Sequence, residues 1–334
     1  MNHPESSRPL PLPDGRILYA EQRERDTWLS LDGQPLLHLC SLAEGVLQPV
    51  EVASGDGAAA LWSACYWWFA QAPEVAYLLW QGLDADSARR CQDWLRPGSE
   101  PGTWRVERSV FWQVAQPWLQ QACGPYPEQL VMTDGKRHPL RRGKPVGELY
   151  RRYDARLGAW VSLRSLDIDT DLERFSRWQN TPRVLQFWQE GGSLEQHRQY
   201  LQGIAADPHV YSLIGCFDDQ PFAYFELYWA REDRIAPFYG VDDYDRGIHM
   251  LVGEQAHRGP HKVASWLAAL THYAFLDDPR TRKVVAEPRA DNAKMIAYMQ
   301  ALGYYREKDF DFPHKRAALM AIARERFFAG NALC

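Results

Sequence analysis

The chain has no paired-cysteine motif, no apolar run approaching the length of a membrane span, and no excess of positive charge. Its six cysteines, Cys40, Cys65, Cys91, Cys123, Cys216 and Cys334, never occur as C-x-x-C. That spacing suits neither a zinc site nor the disulfide framework of a small secreted domain, so no bound metal is expected. Met1 to Ser7 lacks the basic and apolar character of a secretory leader. The expectation is a reduced, cytoplasmic protein with no membrane partner. With 38 Lys and Arg against 43 Asp and Glu, the net charge of −5 gives a nucleic-acid partner no bulk electrostatic support. A local basic cluster can still hold one small anion.

What is present points to a packed, pocketed globule. Fourteen Trp and 16 Tyr accompany 46% hydrophobic residues, favouring large buried areas over a disordered chain. A length of 334 residues exceeds what most single cores need, so two domains are expected, at 1–150 and 151–334.

In the first half, residues 17–50 alternate as strands around the turn Leu31-Asp32-Gly33-Gln34. A helix is expected over Ala58–Ala70, a strand over Val75–Gln81, a helix over Asp84–Leu95, a strand over Arg105–Ala115, and a linker over 121–150. In the second half, the strand Trp160–Leu166 precedes a helix from Asp171 through Trp178. A helix over Leu194–Ile204, capped by Ser193, and a hairpin of Val210–Phe217 with Phe222–Trp229 follow. After a loop over 231–244, with Asp242, Asp243 and Asp245 as a solvated acidic stretch, come a strand over Ile248–Val252 and a helix over Lys262–Leu276. A strand over Lys283–Glu287, a helix over Asn292–Leu302 and a final hairpin complete the chain. Pro73 and Pro279, and likewise Phe69 and Phe275, stand 206 residues apart within similar helix–strand–helix patterns. Two readings stay open: a second, degenerate copy of one fold, or the common recurrence of helix–strand–helix in α/β proteins.

The most informative segment runs from Asp245 to Gly253 and on through Arg258-Gly259-Pro260-His261-Lys262 into a helix. A strand ends, a basic turn follows, and the positive end of a helix opens at the same spot, which suits a pyrophosphate. Gly259 lets the backbone approach, while Arg258, His261 and Lys262 offer charge and donors. Strand alternation places His249 and Leu251 on one face, and Ile248, Met250 and Val252 on the other. Histidine titrates near neutral pH and suits a general base. Glu226 and Tyr228 share strand parity and can face one pocket together.

Asn180-Thr181-Pro182-Arg183-Val184 with Phe187-Trp188, the strand Phe222–Tyr228, Asp245–Gly253, Arg258-Gly259-Pro260-His261 and Phe312–Ala317 together resemble siderophore N-acyltransferases of the GNAT superfamily. The nearest types are the aerobactin-pathway N-hydroxylysine acetyltransferase and its hydroxyornithine relatives, and the likeness spans residues of about 155–328. The resemblance implies an α/β (α+β) GNAT fold in the C-terminal half, with the first half an α/β domain that would be the degenerate copy if the echo is real. It implies acetyl-CoA or another acyl-CoA as co-substrate, an N-hydroxylated lysine or ornithine side chain as acceptor, and other siderophore-pathway enzymes as partners. His249 would be the base, with Asp291 as its orienting carboxylate and Tyr298 as acid to the departing thiolate. Leu251, Val252 and Gly253 would face the thioester, and Asn292 the pantetheine arm. Trp178, Asn180, Phe187, Trp188, Glu226 and Tyr228 would line the acceptor pocket. Asp291 also reads as a plain helix cap. Two alternatives remain: an aminoglycoside-type or other small-amine acetyltransferase, and a catalytically inactive acyl-CoA-binding module.

Overall fold

The computed structural model describes residues 5–6, 9–43, 45–53, 55–120, 128–330 and 332–333. Ser54, Cys123 and Cys334 lie outside them. The chain divides into two compact units, one of residues 1–117, 152–158 and 328–334, the other of residues 118–151 and 159–327. The division is therefore not a single cut at 150.

In the second unit the sheet carries the strands β1 (Glu148–Asp154), β2 (Ala159–Ser165), β3 (Val210–Phe217), β4 (Gln220–Trp229), β5 (Arg246–Val252), β6 (Lys283–Ala286), β7 (Tyr305–Phe312) and β8 (Lys315–Ala323). Their order is β1-β2-β3-β4-β5-β6-β8-β7. From β2 to β5 the pairing is antiparallel, whereas β5 and β6 run parallel and pair only through Arg246↔Val284 and Gly247↔Val285. Beyond Gly247 the two strands part, so the edge of β5 facing β6 is open from Ile248 onward among the described residues.

Helices cover both faces. On one lie α1 (Ile168–Gln179), α2 (Pro182–Trp188) and α3 (Leu194–Ala206), where Leu172, Phe175, Val184 and Leu201 pack with Ile214, Tyr224 and Leu251. Ser193 and Gln196 close a reciprocal capping box at the start of α3. On the other face, α4 (Pro260–Asp277) stacks Trp266 on Phe225 at 5.2 Å. The helix α5 (Ala293–Leu302) follows β6 and is capped by Asn292, whose side chain accepts from the Met295 N–H at 3.2 Å. The cap is thus Asn292 and not Asp291.

The first unit repeats this path. Ile17–Arg23, Asp26–Leu31, Gln34–Ala43 and Val46–Val52 form an antiparallel meander. A helix over Gly57–Gln71 leads to Tyr77–Gln81, which pairs in parallel with Val46–Val52 only through Val46↔Leu79 and Leu47↔Trp80. Thr103–Glu107 then inserts between Tyr77–Gln81 and Leu95–Pro97, just as β8 lies between β6 and β7. The 206-residue spacing carries Gln71 to the end of α4 at Asp277, and Tyr77 to the start of β6 at Lys283. The first half is a GNAT-like copy. It lacks counterparts of α1–α3, since only a two-residue turn joins Ile17–Arg23 to Asp26–Leu31.

Three expected elements differ. The helix expected to reach Leu95 stops at Arg90, because Trp94 and Leu95 turn into the core and Leu95 starts a strand. The strand expected over Arg105–Ala115 ends at Glu107, where a short helix buries Phe111 and Trp112 together, as an alternating strand cannot. The expected linker contains a hairpin of Leu130–Thr133 with Lys136–Pro139, and the first three residues of β1. Among the described residues no helix is long and apolar enough to cross a membrane.

Candidate active site

His249 sits on β5 just past the point where β6 departs, and Glu226 lies directly opposite it on β4. Its ring is held at both ends, Nδ1 2.7 Å from Glu226 Oε2 and Nε2 2.6 Å from Glu287 Oε1. Glu287 follows β6 immediately, so the two parting strands deliver the imidazole and one of its carboxylates to the same gap. Both carboxylates are buried, and each is braced. Tyr200 and Tyr224 donate to Glu226 Oε1 at 2.5 and 2.9 Å. Tyr228 donates to Glu287 Oε2 at 2.7 Å, and Lys315 Nζ stands 3.9 Å from Glu287 Oε1.

The charge state follows. Burial favours the neutral imidazole, but the Glu287 charge and hydrogen bonds to both carboxylates outweigh it, and His249 is raised to about 10. Burial would likewise raise the carboxyls, yet the neighbouring imidazolium and the tyrosine hydroxyls hold Glu226 below its ordinary range, and Glu287 is held far below it. At neutral pH the cluster is an imidazolium between two carboxylates. Burial together with the Glu226 charge pushes the Tyr200 hydroxyl well above its usual range, so it stays a donor.

The expected partner of His249, Asp291, is not there. Its carboxylate is exposed and paired with Arg289, at 3.0 Å to Nε and 2.7 Å to an Nη. Glu226 was expected to line the acceptor pocket, but it is spent on His249 and two tyrosines. Tyr228 is fully buried and supports Glu287. Trp178 is also buried; its indole N–H donates to Glu254 at 2.9 Å, and its ring fills the space a Cβ on Gly253 would need. Asn180 ties a loop, exchanging hydrogen bonds with Gly192 at 2.9 and 3.0 Å. Trp188 does reach the site, its ring 6.3 Å from that of His249, and Phe187 precedes it half-buried on the same helix. Tyr298 lies on α5 with Lys294 over its ring. Asp245 is no solvated acid: it is fully buried, accepts from Tyr239 and from the Asp242 N–H at 3.1 Å, and burial raises its carboxyl to about 6.

Strand parity corrects the thioester-facing set. The Gly253 N–H donates to Phe222 O at 2.9 Å, so Gly253 and, by alternation, Leu251 turn their N–H groups to β4. Met250 and Val252 face the gap instead. Their carbonyls accept from Trp188 Nε1 at 3.3 Å and from Arg183 at 2.6 Å, leaving their N–H groups along the open edge.

At the far end of that edge α4 begins. Its N-cap is Gly259 at φ 120°, with no side-chain cap and no acid in the first turn. Pro260 lacks an N–H, so His261 and Lys262 present the orphan donors of the helix start. Arg258 and His261 are exposed, and Lys262 Nζ lies 3.0 Å from His257 Nδ1. Arg183 reaches in from α2. Burial and the charge of Arg258 lower its pKa, and its Nε is buried without a hydrogen-bond partner. Two guanidiniums within each other's field, one with an unspent donor, fit an anion such as a diphosphate. The counterpart helix of the first unit is closed to one, because Asp56 caps it and accepts from the Ala59 N–H at 3.1 Å.

Comparison with known proteins bears on this geometry. Residues 167–312 match the family model described as an acetyltransferase (GNAT) domain. A Schizosaccharomyces pombe protein, provisionally named a lysine N-acyltransferase, is 47% identical over 68% of this chain and 68% of its own length. The Escherichia coli protein named N(6)-hydroxylysine O-acetyltransferase is 45% identical over 67% of this chain and 71% of its own. The chain belongs to the GNAT acetyltransferases. A GNAT relative in Beauveria bassiana, named N(5)-hydroxyornithine:cis-anhydromevalonyl coenzyme A-N(5)-transacylase, is 50% identical over 57% of this chain and 43% of its own. The crystal structure of an uncharacterized Bacillus halodurans protein superposes with TM-score 0.53 at 28% identity, covering 55% of this chain and 94% of that one.

Three residues central to this GNAT site were not among those expected from sequence: Glu287, Met250 and Arg183. Glu287 carried a signal, an acid at the end of the strand that must part from β5. Arg183 carried one too, as a cation on the segment that supplies Trp188.

Proposed function

We propose that this protein transfers an acyl group from acyl-CoA to the N-hydroxylated side-chain nitrogen of a lysine- or ornithine-type acceptor, giving a hydroxamate for siderophore assembly. That it is an acyl-CoA-dependent N-acyltransferase follows from its family; the names of its relatives support the hydroxylated amine. The observation that carries the reading is His249 held between Glu226 and Glu287 in the gap where β5 and β6 part.

Met250 and Val252 N–H groups line the open edge for the pantetheine arm, and Asn292 stands at the start of α5 beside it. Arg183, Arg258, His261, Lys262 and the first N–H groups of α4 take the diphosphate. A hydroxylamine nitrogen is neutral at physiological pH and attacks the thioester carbon directly. The nitrogen–carbon bond forms, the carbon–sulfur bond breaks, and one proton passes from nitrogen to sulfur. The proton released at nitrogen passes to the departing thiolate, and the imidazolium held by its two carboxylates offsets charge on the thioester oxygen. Tyr298 is the proposed donor to the departing thiolate.

A second reading has one specific support: the E. coli relative's name specifies O-acetylation. The two products differ chemically, since only the N-acyl product is a hydroxamate that chelates ferric iron. Incubation with acetyl-CoA and N-hydroxylysine, N-hydroxyornithine, lysine or an aminoglycoside, read as thiol release and ferric-hydroxamate colour, tests the proposal. Both signals are expected with the N-hydroxylated acceptors. Thiol release without colour would transfer the reading to oxygen, and turnover only with the aminoglycoside would end it.

A further inference from the structure

We infer that Arg234 anchors the α-carboxylate of the acceptor, so that the enzyme takes a free amino acid and not merely a hydroxylated amine. The inference rests on the proposed reaction. Arg234 lies in the loop joining β4 to β5, which the family motifs do not cover. Its guanidinium stands 3.8 Å from Glu287 Oε1, with its side chain half exposed, and 5.3 Å from the centre of the Phe312 ring. Glu287 is already engaged by His249 and Tyr228, at 2.6 and 2.7 Å. Arg234 is therefore surplus to that carboxylate, and among the described residues its guanidinium makes no hydrogen bond. Five fixed donors at the mouth of a reaction centre, against an aromatic face, are what a carboxylate calls for.

The neighbouring cations are spoken for. Lys315 donates to Glu287 O at 2.7 Å, and Arg289 is paired with Asp291. Lys315 and His314 both lie within the field of Arg234, and burial and that field lower each of them. Arg234 thus keeps its charge and its donors unspent at this rim, as an anionic group requires. The segment just after α2 supplies the complement. Glu190, two residues beyond Trp188, is exposed, and its charge reaches both Tyr200 and His314. A zwitterionic amino-acid head spans these two charges while its side-chain nitrogen reaches toward His249.

The test compares R234Q and R234K with wild type on two acceptors: N6-hydroxylysine, and N-hydroxypentane-1,5-diamine, the same chain without the carboxyl group. Wild type is expected to prefer N6-hydroxylysine. R234Q should raise KM for it by about 10- to 100-fold, the range of a lost charge-assisted hydrogen bond, while leaving the diamine and the KM for acyl-CoA unchanged. R234K should recover part of the loss. Equal effects on both acceptors, or none on either, would overturn the anchor. Calorimetric binding of the same two compounds in the presence of CoA separates the claims. Preferential, Arg234-dependent binding of the amino acid without turnover would sink the reaction and keep the anchor; turnover of both acceptors with no dependence on Arg234 would do the reverse.

Discussion

Glu287 is the residue whose role the structure changes most. Replacing it with Gln removes the larger electrostatic support of the imidazolium, so His249 should titrate well below 10. Turnover should fall by about 10²-fold or more, the usual weight of a preorganised group that stabilises charge in the transition state, with ferric-hydroxamate formation as the readout. Asp291→Ala should leave turnover near wild type, since that carboxylate is exposed and tied to Arg289; a large loss would restore it to the site. Stability carries the same signature. His249 is raised from 6.5 to about 10, so its contribution is complete below pH 6.5 and is lost as pH rises through 10. Glu287 is depressed from 4.5, so its contribution is present above that pH and is lost on acidification. Melting temperatures of wild type and His249→Gln should therefore converge as the medium is made alkaline. That Glu226 and Tyr228 share a face was legible from strand parity, but their expected place in the acceptor pocket is taken by bracing His249 and Glu287. Glu287 was not, because a strand end followed by proline reads as a boundary and its partner is 38 residues away. Asp245 looked solvated in a run of acids because burial there is a property of the loop's fold.

At the scale of elements, aromatic rings approach the β5 backbone closely at Gly247 and at Gly253, on either side of His249. A Cβ at Gly247 would meet the Tyr228 ring at 2.0 Å, and one at Gly253 would meet Trp178 at 2.1 Å. Gly253→Ala should destabilise by about 1–3 kcal/mol through overpacking, seen as a lower melting temperature, and Gly247→Ala should also lower turnover by pushing Tyr228 off Glu287. A melting temperature unchanged by Gly253→Ala would show that the indole yields without cost. Most helices and strands of the second unit were readable from period and caps. Two of the three failures lay in the first unit, where Phe111 and Trp112 prolonged an apparent alternation that tertiary packing broke; the third, the hairpin inside the expected linker, lies in the second.

Across the whole molecule, one strand order is folded twice, and the proposed chemistry belongs to the second copy. The first unit has the same parting strands, and a cavity of about 190 Å³ opens there, lined by Val50, Glu51, Gly57, Gly82, Asp84 and Ser87. Its helix start is occupied by Asp56, and the helices that would wall an acceptor pocket are missing. Calorimetry should therefore find a single acyl-CoA per chain, with binding lost in an Arg183→Ala, Arg258→Ala double variant and untouched by Glu51→Gln. Two equivalent sites would contradict the assignment of the first unit as a non-binding copy. The spacing of 206 residues exposed the repeat, but its consequence depended on knowing which elements had been deleted.

The most direct test is kcat against pH from 6.5 to 10.5 at saturating acyl-CoA and N-hydroxylated acceptor. An imidazolium held between Glu226 and Glu287 predicts a plateau up to about pH 10 and a decline above it. A tenfold rise per pH unit toward 10 would mean that neutral His249 does the work, and would contradict the account.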